Sequence, residues 1–145
     1  MHSTASTFAA LFVTLLTAHQ WGDHCAQTDH QAAHKGRPEA DSGTTNAESW
    51  RALCGHLVSY HAVMVVMLAA AVVALDLRVS LAGCTAGVGF SAVSHGFWDR
   101  RWPVRAWMVR TGSESFAEQP FGRYTVDQGW HVLCLWFSAL LVVLV

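Results

Sequence analysis

Residues 62–75 carry no polar side chain at all; the run is built only from Ala, Val, Met and Leu. A helix that rests on a soluble core shows one apolar stripe and a polar opposite face. A run that is apolar all round needs either a very large interior or a bilayer. With 145 residues the chain has room for a single small domain, so the large interior is excluded. Three further stretches are saturated in the same way, at 3–21, 79–98 and 128–145. Together with 52–75 they give four segments close to the twenty or so residues that a bilayer requires. Charge supports this reading, since only 13% of residues are Asp, Glu, Lys or Arg, against roughly 25% in an ordinary soluble domain. The expectation is an all-α polytopic membrane protein. It has four transmembrane helices in one compact bundle, forms a single domain over 1–145, and carries long loops at about 24–50 and 99–126.

Each segment adds detail. The first has no basic residues before it and no small-x-small site after Leu16, and Asp23-His24 is the wrong context for lipid processing at Cys25. It is therefore expected to be a retained helix and not a cleaved signal. The third is rich in Gly, Ala and Ser (Gly83, Gly87, Ser91), which suits close helix approach. Eight of the nine basic residues fall in or beside the two long loops: Lys35, Arg37 and Arg51, then Arg100, Arg101, Arg105, Arg110 and Arg123. Arg78 is the exception. The positive-inside bias then places both loops in the cytoplasm and both termini outside it, in the inner (plasma) membrane. A net charge of −1 and a pI of about 6.7 give no reason to expect a nucleic-acid partner. Cys25, Cys54, Cys84 and Cys134 show neither disulfide nor zinc spacing. Gly36-Arg37-Pro38 and Asp41-Ser42-Gly43-Thr44-Thr45-Asn46 mark the second half of the first loop as a flexible linker.

The histidines and aspartates carry the functional signal. His19 and Asp23 are four apart, as are His95 and Asp99, and Asp127 and His131 repeat the spacing in reverse order. Residues four apart share a helix face. His56 opens the second segment, with His61 on a different face. In the expected topology, segments one and three run inward and carry their pairs at their C-terminal ends. Segments two and four run outward and carry theirs at their N-terminal ends. All four groups thus reach one depth near the cytoplasmic face, where facing lipid would cost about 2.5–3.5 kcal/mol per ionisable group. A polar pocket inside the bundle is expected.

The ordered series His19-x-x-x-Asp23-x-x-x-Gln27-Thr28-Asp29, Lys35, His56, His95-x-x-x-Asp99 and Asp127-Gln128-x-x-His131 resembles an uncharacterised family of small bacterial integral membrane proteins, over almost the whole chain. The resemblance implies the membrane fold and this residue set. It also implies supporting or substrate-contact roles for Gln27, Asp29 and Lys35, beside His56 and Gln128. A more distant analogy is to membrane-embedded metal-dependent hydrolases that place His and Asp at helix ends.

Three readings of the constellation stay open from sequence. In the first, His19, His95, Asp99, Asp127 and His131 supply ligands for zinc, manganese or iron, with Asp23 and Asp99 as catalytic carboxylates in metal-assisted hydrolysis at the membrane. In the second, the chain is a small ion or proton transporter. In the third, it is a non-enzymatic partner subunit whose His–Asp pairs are interhelical hydrogen bonds. His61 reads as structural, and His2, His30 and His34 as loop histidines. Arg100, Arg101 and Arg105 read first as positive-inside residues drawn to anionic headgroups, with Trp98, Trp102 and Trp107 as an aromatic belt. No serine elbow, P-loop, dinucleotide fingerprint or H-E-x-x-H occurs. The metal reading makes a geometric demand. At least three of His19, Asp23, His95, Asp99, Asp127 and His131, from two or more helices, must approach within about 4.5 Å, twice a typical ligand bond with slight slack.

Overall fold

The computed structural model describes residues 3–39 and 42–145; His2 and Asp41 lie outside the described residues. Among these residues the chain forms seven helices and no strand. They are α1 (Thr4–His24), α2 (Asp29–His34), α3 (Asn46–Ala74), α4 (Leu81–Trp98), α5 (Trp102–Arg110), α6 (Glu114–Ala117) and α7 (Gly122–Leu144). Hydroxyl caps set several starts, because they satisfy backbone N–H groups that the first turn leaves open. Ser3 accepts from Ser6, Thr45 from Glu48 and Ser80 from Gly83. The Thr45 cap explains why α3 begins at Asn46, six residues ahead of the expected 52. Thr28 and Gln31 form a capping box that turns part of the first loop into α2. The second loop likewise contains α5 and α6, and α7 starts at Gly122 instead of 128.

The four long helices form a closed ring in which α1 touches α3, α3 touches α4, α4 touches α7 and α7 touches α1. Across the diagonals, α1 with α4 and α3 with α7, the described backbones make no contact. The closest side is α4 on α7. A Cβ on Gly87 would lie 2.8 Å from the Ser138 carbonyl oxygen, and one on Gly83 would lie 2.7 Å from that of Val142. Glycine is therefore required at both positions for the backbones to approach. Leu11, Leu15, Ala18, Met64, Leu68, Leu135, Ala139 and Val142 fill the interior around Tyr60.

Polarity is inverted relative to a soluble bundle. His19, His56, His95, His131, Asp23 and Asp99 are buried, while Val58, Val66, Val73, Leu81 and Val93 point outward, Val73 with 82% of its surface exposed. Two helices, α3 and α7, are long and apolar enough to cross a membrane. α1 and α4 do not meet the same measure, because His19, Gln20 and Asp23 in α1 and the Gly, Ser and His residues of α4 lower their apolarity. All four cysteines are free.

Candidate functional site

All four helices of the ring deliver polar side chains to the same end of the bundle. α1 brings His19 and Asp23 near its C-terminus; α4 brings His95 and, at its C-cap, Asp99. α3 brings His56 and Tyr60 on one face, four residues apart, and α7 brings Asp127, Gln128 and His131. Asp23, His56, His95 and Asp99 are all buried, and one ligand atom from each converges on a common region.

Five of the six distances among these atoms lie between 3.0 and 3.4 Å. His56 Nε2 lies 3.0 Å from Asp23 Oδ1, 3.2 Å from Asp99 Oδ2 and 3.0 Å from His95 Nε2. His95 Nε2 lies 3.4 Å from Asp23 Oδ1 and 3.1 Å from Asp99 Oδ2. Four ligands at the roughly 2.0–2.1 Å typical of zinc in a tetrahedral site would have edges of about 3.3–3.4 Å. The observed edges sit at or just inside that value. Hydrogen bonding does not account for the arrangement. Although each is within 3.4 Å of ring nitrogens, Asp23 Oδ1 and Asp99 Oδ2 have no hydrogen-bond partner of proper direction. Each imidazole Nε2 carries one in-plane proton or lone pair, so two rings cannot serve two carboxylates and each other at once. One cation at the centre satisfies all four atoms, and the buried cluster can hold a metal ion.

Lys35 enters the cluster from the C-cap of α2. Its Nζ lies 2.9 Å from Asp99 Oδ1, 3.6 Å from Asp23 Oδ1 and 3.1 Å from His56 Nε2. Burial alone would raise the Asp99 carboxyl, but His95, His56 and Lys35 together hold it well below the usual carboxylate range. The backbone around Lys35 is pinned in turn. Arg100 Nη1 donates to the Lys35 carbonyl at 3.3 Å and to Ser49 Oγ at 2.7 Å, and Ser49 Oγ donates to the Gly36 carbonyl at 2.7 Å.

A second group adjoins the first. Asp99, Asp127 and His131 also bring ligand atoms together, with His131 Nε2 at 3.8 Å from Asp99 Oδ1. His131 Nδ1–H donates to the Asp127 carbonyl at 2.8 Å, which leaves Nε2 bare, buried and without a partner, as is Asp127 Oδ1. His19 plays a different part. Its Nε2–H donates to Gln128 Oε1 at 3.0 Å and its Nδ1 meets the Tyr60 hydroxyl at 3.1 Å, so it ties α1 to α7 and α3 beside the four-atom cluster. Gly22 makes this possible, since a Cβ there would fall 2.5 Å from the Tyr60 ring.

Of the six residues in the geometric demand, Asp23 Oδ1 on α1 lies 3.4 Å and Asp99 Oδ2 at the end of α4 lies 3.1 Å from His95 Nε2. Of the residues given supporting roles, Lys35 and His56 enter the cluster and Gln128 touches His19. Gln27 Nε2 donates to the Asp23 carbonyl at 3.0 Å, and Asp29 is exposed in the first turn of α2, away from the cluster. The sequence reading assigned no role to Tyr60; its spacing of four from His56 was the available signal. His61 donates through Nδ1 to the Leu57 carbonyl and meets Ser91 Oγ at 3.3 Å, a structural role as expected. His30 and His34 form an outlying group with Glu48 on the more exposed surface.

A cavity of about 700 Å³ opens beside the cluster, lined at its floor by Asp23, Asp99 and Asp127. No family model, no curated protein and no solved structure matches this chain.

Proposed function

We propose that the chain is an integral membrane protein in which α1, α3, α4 and α7 all cross the bilayer, and that Asp23, His56, His95 and Asp99 bind one divalent metal ion in a membrane-facing hydrolase. The convergence of four buried ligand atoms within 4.8 Å of one another, two of them carboxylate oxygens without a hydrogen-bond partner, carries this reading. The apolar exterior and the basic loops support the four spans, with the site near the cytoplasmic face.

A divalent ion of this kind supplies Lewis acidity and lowers the pKa of water toward neutrality. The chain's own residues supply the rest. Asp127 lines the cavity and keeps one oxygen free of partners, so it is placed to take a proton from water at the cavity floor. Lys35 engages the outer oxygen of Asp99 and leaves the inner one to the cluster. The Tyr60–His19–Gln128 chain fixes α1 against its neighbours and so sets where Asp23 points.

Metal analysis of the detergent-purified protein tests the proposal. The expected content is about one zinc, manganese or iron per chain, falling below about a tenth in His56→Ala and in His95→Ala while helical content is retained. A metal-free wild type, or variants with unchanged content, would overturn it. One observation favours a second reading, the interhelical lock: Lys35 already brings a positive charge to Asp23 and Asp99.

A further inference from the structure

The cavity beside the cluster has a basic wall. Besides Asp23, Asp99 and Asp127 at its floor and Glu39 near its rim, it is lined by Lys35, Arg37, Arg100, Arg101, Arg105 and Arg123. Positive-inside bias explains why arginines occur in these loops, but it does not require them to gather round one cavity. Arg51 and Arg110 count equally toward that bias, and neither lines it. The six basic residues come from the loop after α2, the turn after α4, α5 and the first turn of α7, so folding, and not local sequence, assembles them.

The wall is built closely. Gly36 lies so near Arg101 that a Cβ would fall 2.8 Å from the Arg101 Cδ, and the Arg101 guanidinium donates to the Ala32 carbonyl. Arg101 itself holds a φ of 63°, a left-handed conformation that is strained for a residue with a side chain. His24 and Tyr124 close another side through a 2.7 Å hydrogen bond. Within this frame the Arg37 and Arg105 side chains have no hydrogen-bond or carboxylate partner among the described residues. Asp23 and Asp99 are engaged by the His and Lys cluster, and six basic side chains against the four carboxylates of Asp23, Glu39, Asp99 and Asp127 leave the lining net positive.

We propose that this cavity binds a phosphate group, seated between the cluster at its floor and the Arg37 and Arg105 guanidiniums. The proposal rests on the metal-site reading for what lies at the floor, and it names the substrate class of that site: a phosphate ester. Planar guanidinium donors match phosphate oxygens in bidentate fashion, which makes arginine the usual residue for that group. At about 700 Å³ the cavity also has room for the organic part of the ester. The phosphate can come from a lipid headgroup or from a soluble ester, and the experiment separates the two.

Inorganic pyrophosphate is titrated calorimetrically into the full-length protein in detergent, and phosphatidic acid in mixed micelles is titrated in parallel with diacylglycerol as the uncharged control. Both titrations are run on wild type, on Arg37→Gln/Arg105→Gln and on Arg110→Gln, with metal content measured on every sample. Binding of either probe that weakens at least about tenfold, or about 1.4 kcal/mol, in the double variant and not in Arg110→Gln is the expected result. Pyrophosphate alone identifies a soluble ester; phosphatidic acid without diacylglycerol identifies a lipid. No binding to wild type, or equal binding to wild type and the double variant, overturns the proposal. Arginine-dependent binding to protein that carries no metal would sink the metal reading and leave this one standing. Stoichiometric metal without arginine-dependent binding would do the reverse. Both arginines are exposed and unpartnered, so their loss leaves folding intact; the single Arg105→Gln variant, with unchanged melting, is the check.

Discussion

Replacing Lys35 with Met separates a metal centre from an ion-pair lock. The side chain keeps an unbranched apolar stem of similar length and loses the terminal ammonium, with its charge and its N–H donors. In the structure that charge lies 2.9 Å from Asp99 Oδ1 and 3.6 Å from Asp23 Oδ1, with all three side chains buried. At an effective dielectric of about 20, each contact is worth about 5 kcal/mol of Coulomb attraction. Desolvation offsets much of this, and breaking a buried pair on one side costs about 3–5 kcal/mol net, because the surviving charge is left without compensation. Lys35→Met should therefore lose two to three and a half orders of magnitude, roughly, in its folding equilibrium when stripped with EDTA. A divalent ion in the cluster compensates Asp23 and Asp99 independently of Lys35, so added zinc or manganese should restore most of the loss. The assay is thermal unfolding in detergent, followed by circular dichroism, with and without each ion. If the variant is as stable as wild type in EDTA, the ion-pair energetics are wrong. If no ion restores it, the cluster acts as a lock and the metal proposal falls.

Gly87→Val should destabilise the bundle by about 1–3 kcal/mol, as overpacking does, because its Cβ meets the Ser138 carbonyl at 2.8 Å and backbone cannot step aside; a chemical denaturation midpoint unchanged from wild type would show that α4 and α7 are not held this closely. A topology reporter fused after Val145 should lie outside the cytoplasm and one inserted near Gly43 inside, and the opposite labelling would remove the cytoplasmic placement of the site.

The end of the bundle where chemistry gathers was legible because a spacing of four fixes a helix face whatever surrounds it. His19/Asp23, His95/Asp99 and Asp127/His131 were found that way, and Asp23, His95 and Asp99 do meet. What spacing could not decide is which of several inward residues reach a common point. His56 stands with Asp23 in the four-atom cluster, and His19 turns aside to Tyr60 and Gln128, because the ring of helices sets how far each side chain extends. Loop structure was legible least. The cap at Thr45, the box at Thr28–Gln31 and Pro103 at the start of α5 are short local signals, masked by the polar linker composition around them. Lys35 had a supporting or substrate-contact role only through the resemblance, and the Arg100–Ser49–Gly36 hydrogen bonds that draw its backbone inward explain its burial.

The closed ring has a mechanical corollary. Four rods joined only along their sides form a parallelogram linkage, which can shear toward a rhombus without lengthening any side. Helices α1 and α4 face each other across such a diagonal and share no backbone contact, yet Asp23 and His95 approach within 3.4 Å across that gap. Those side chains brace the diagonal at the cluster end of the bundle. A change in the separation of Asp23 and His95 would therefore act across the diagonal, on the angle between the two helix pairs, and not along any one side of the ring.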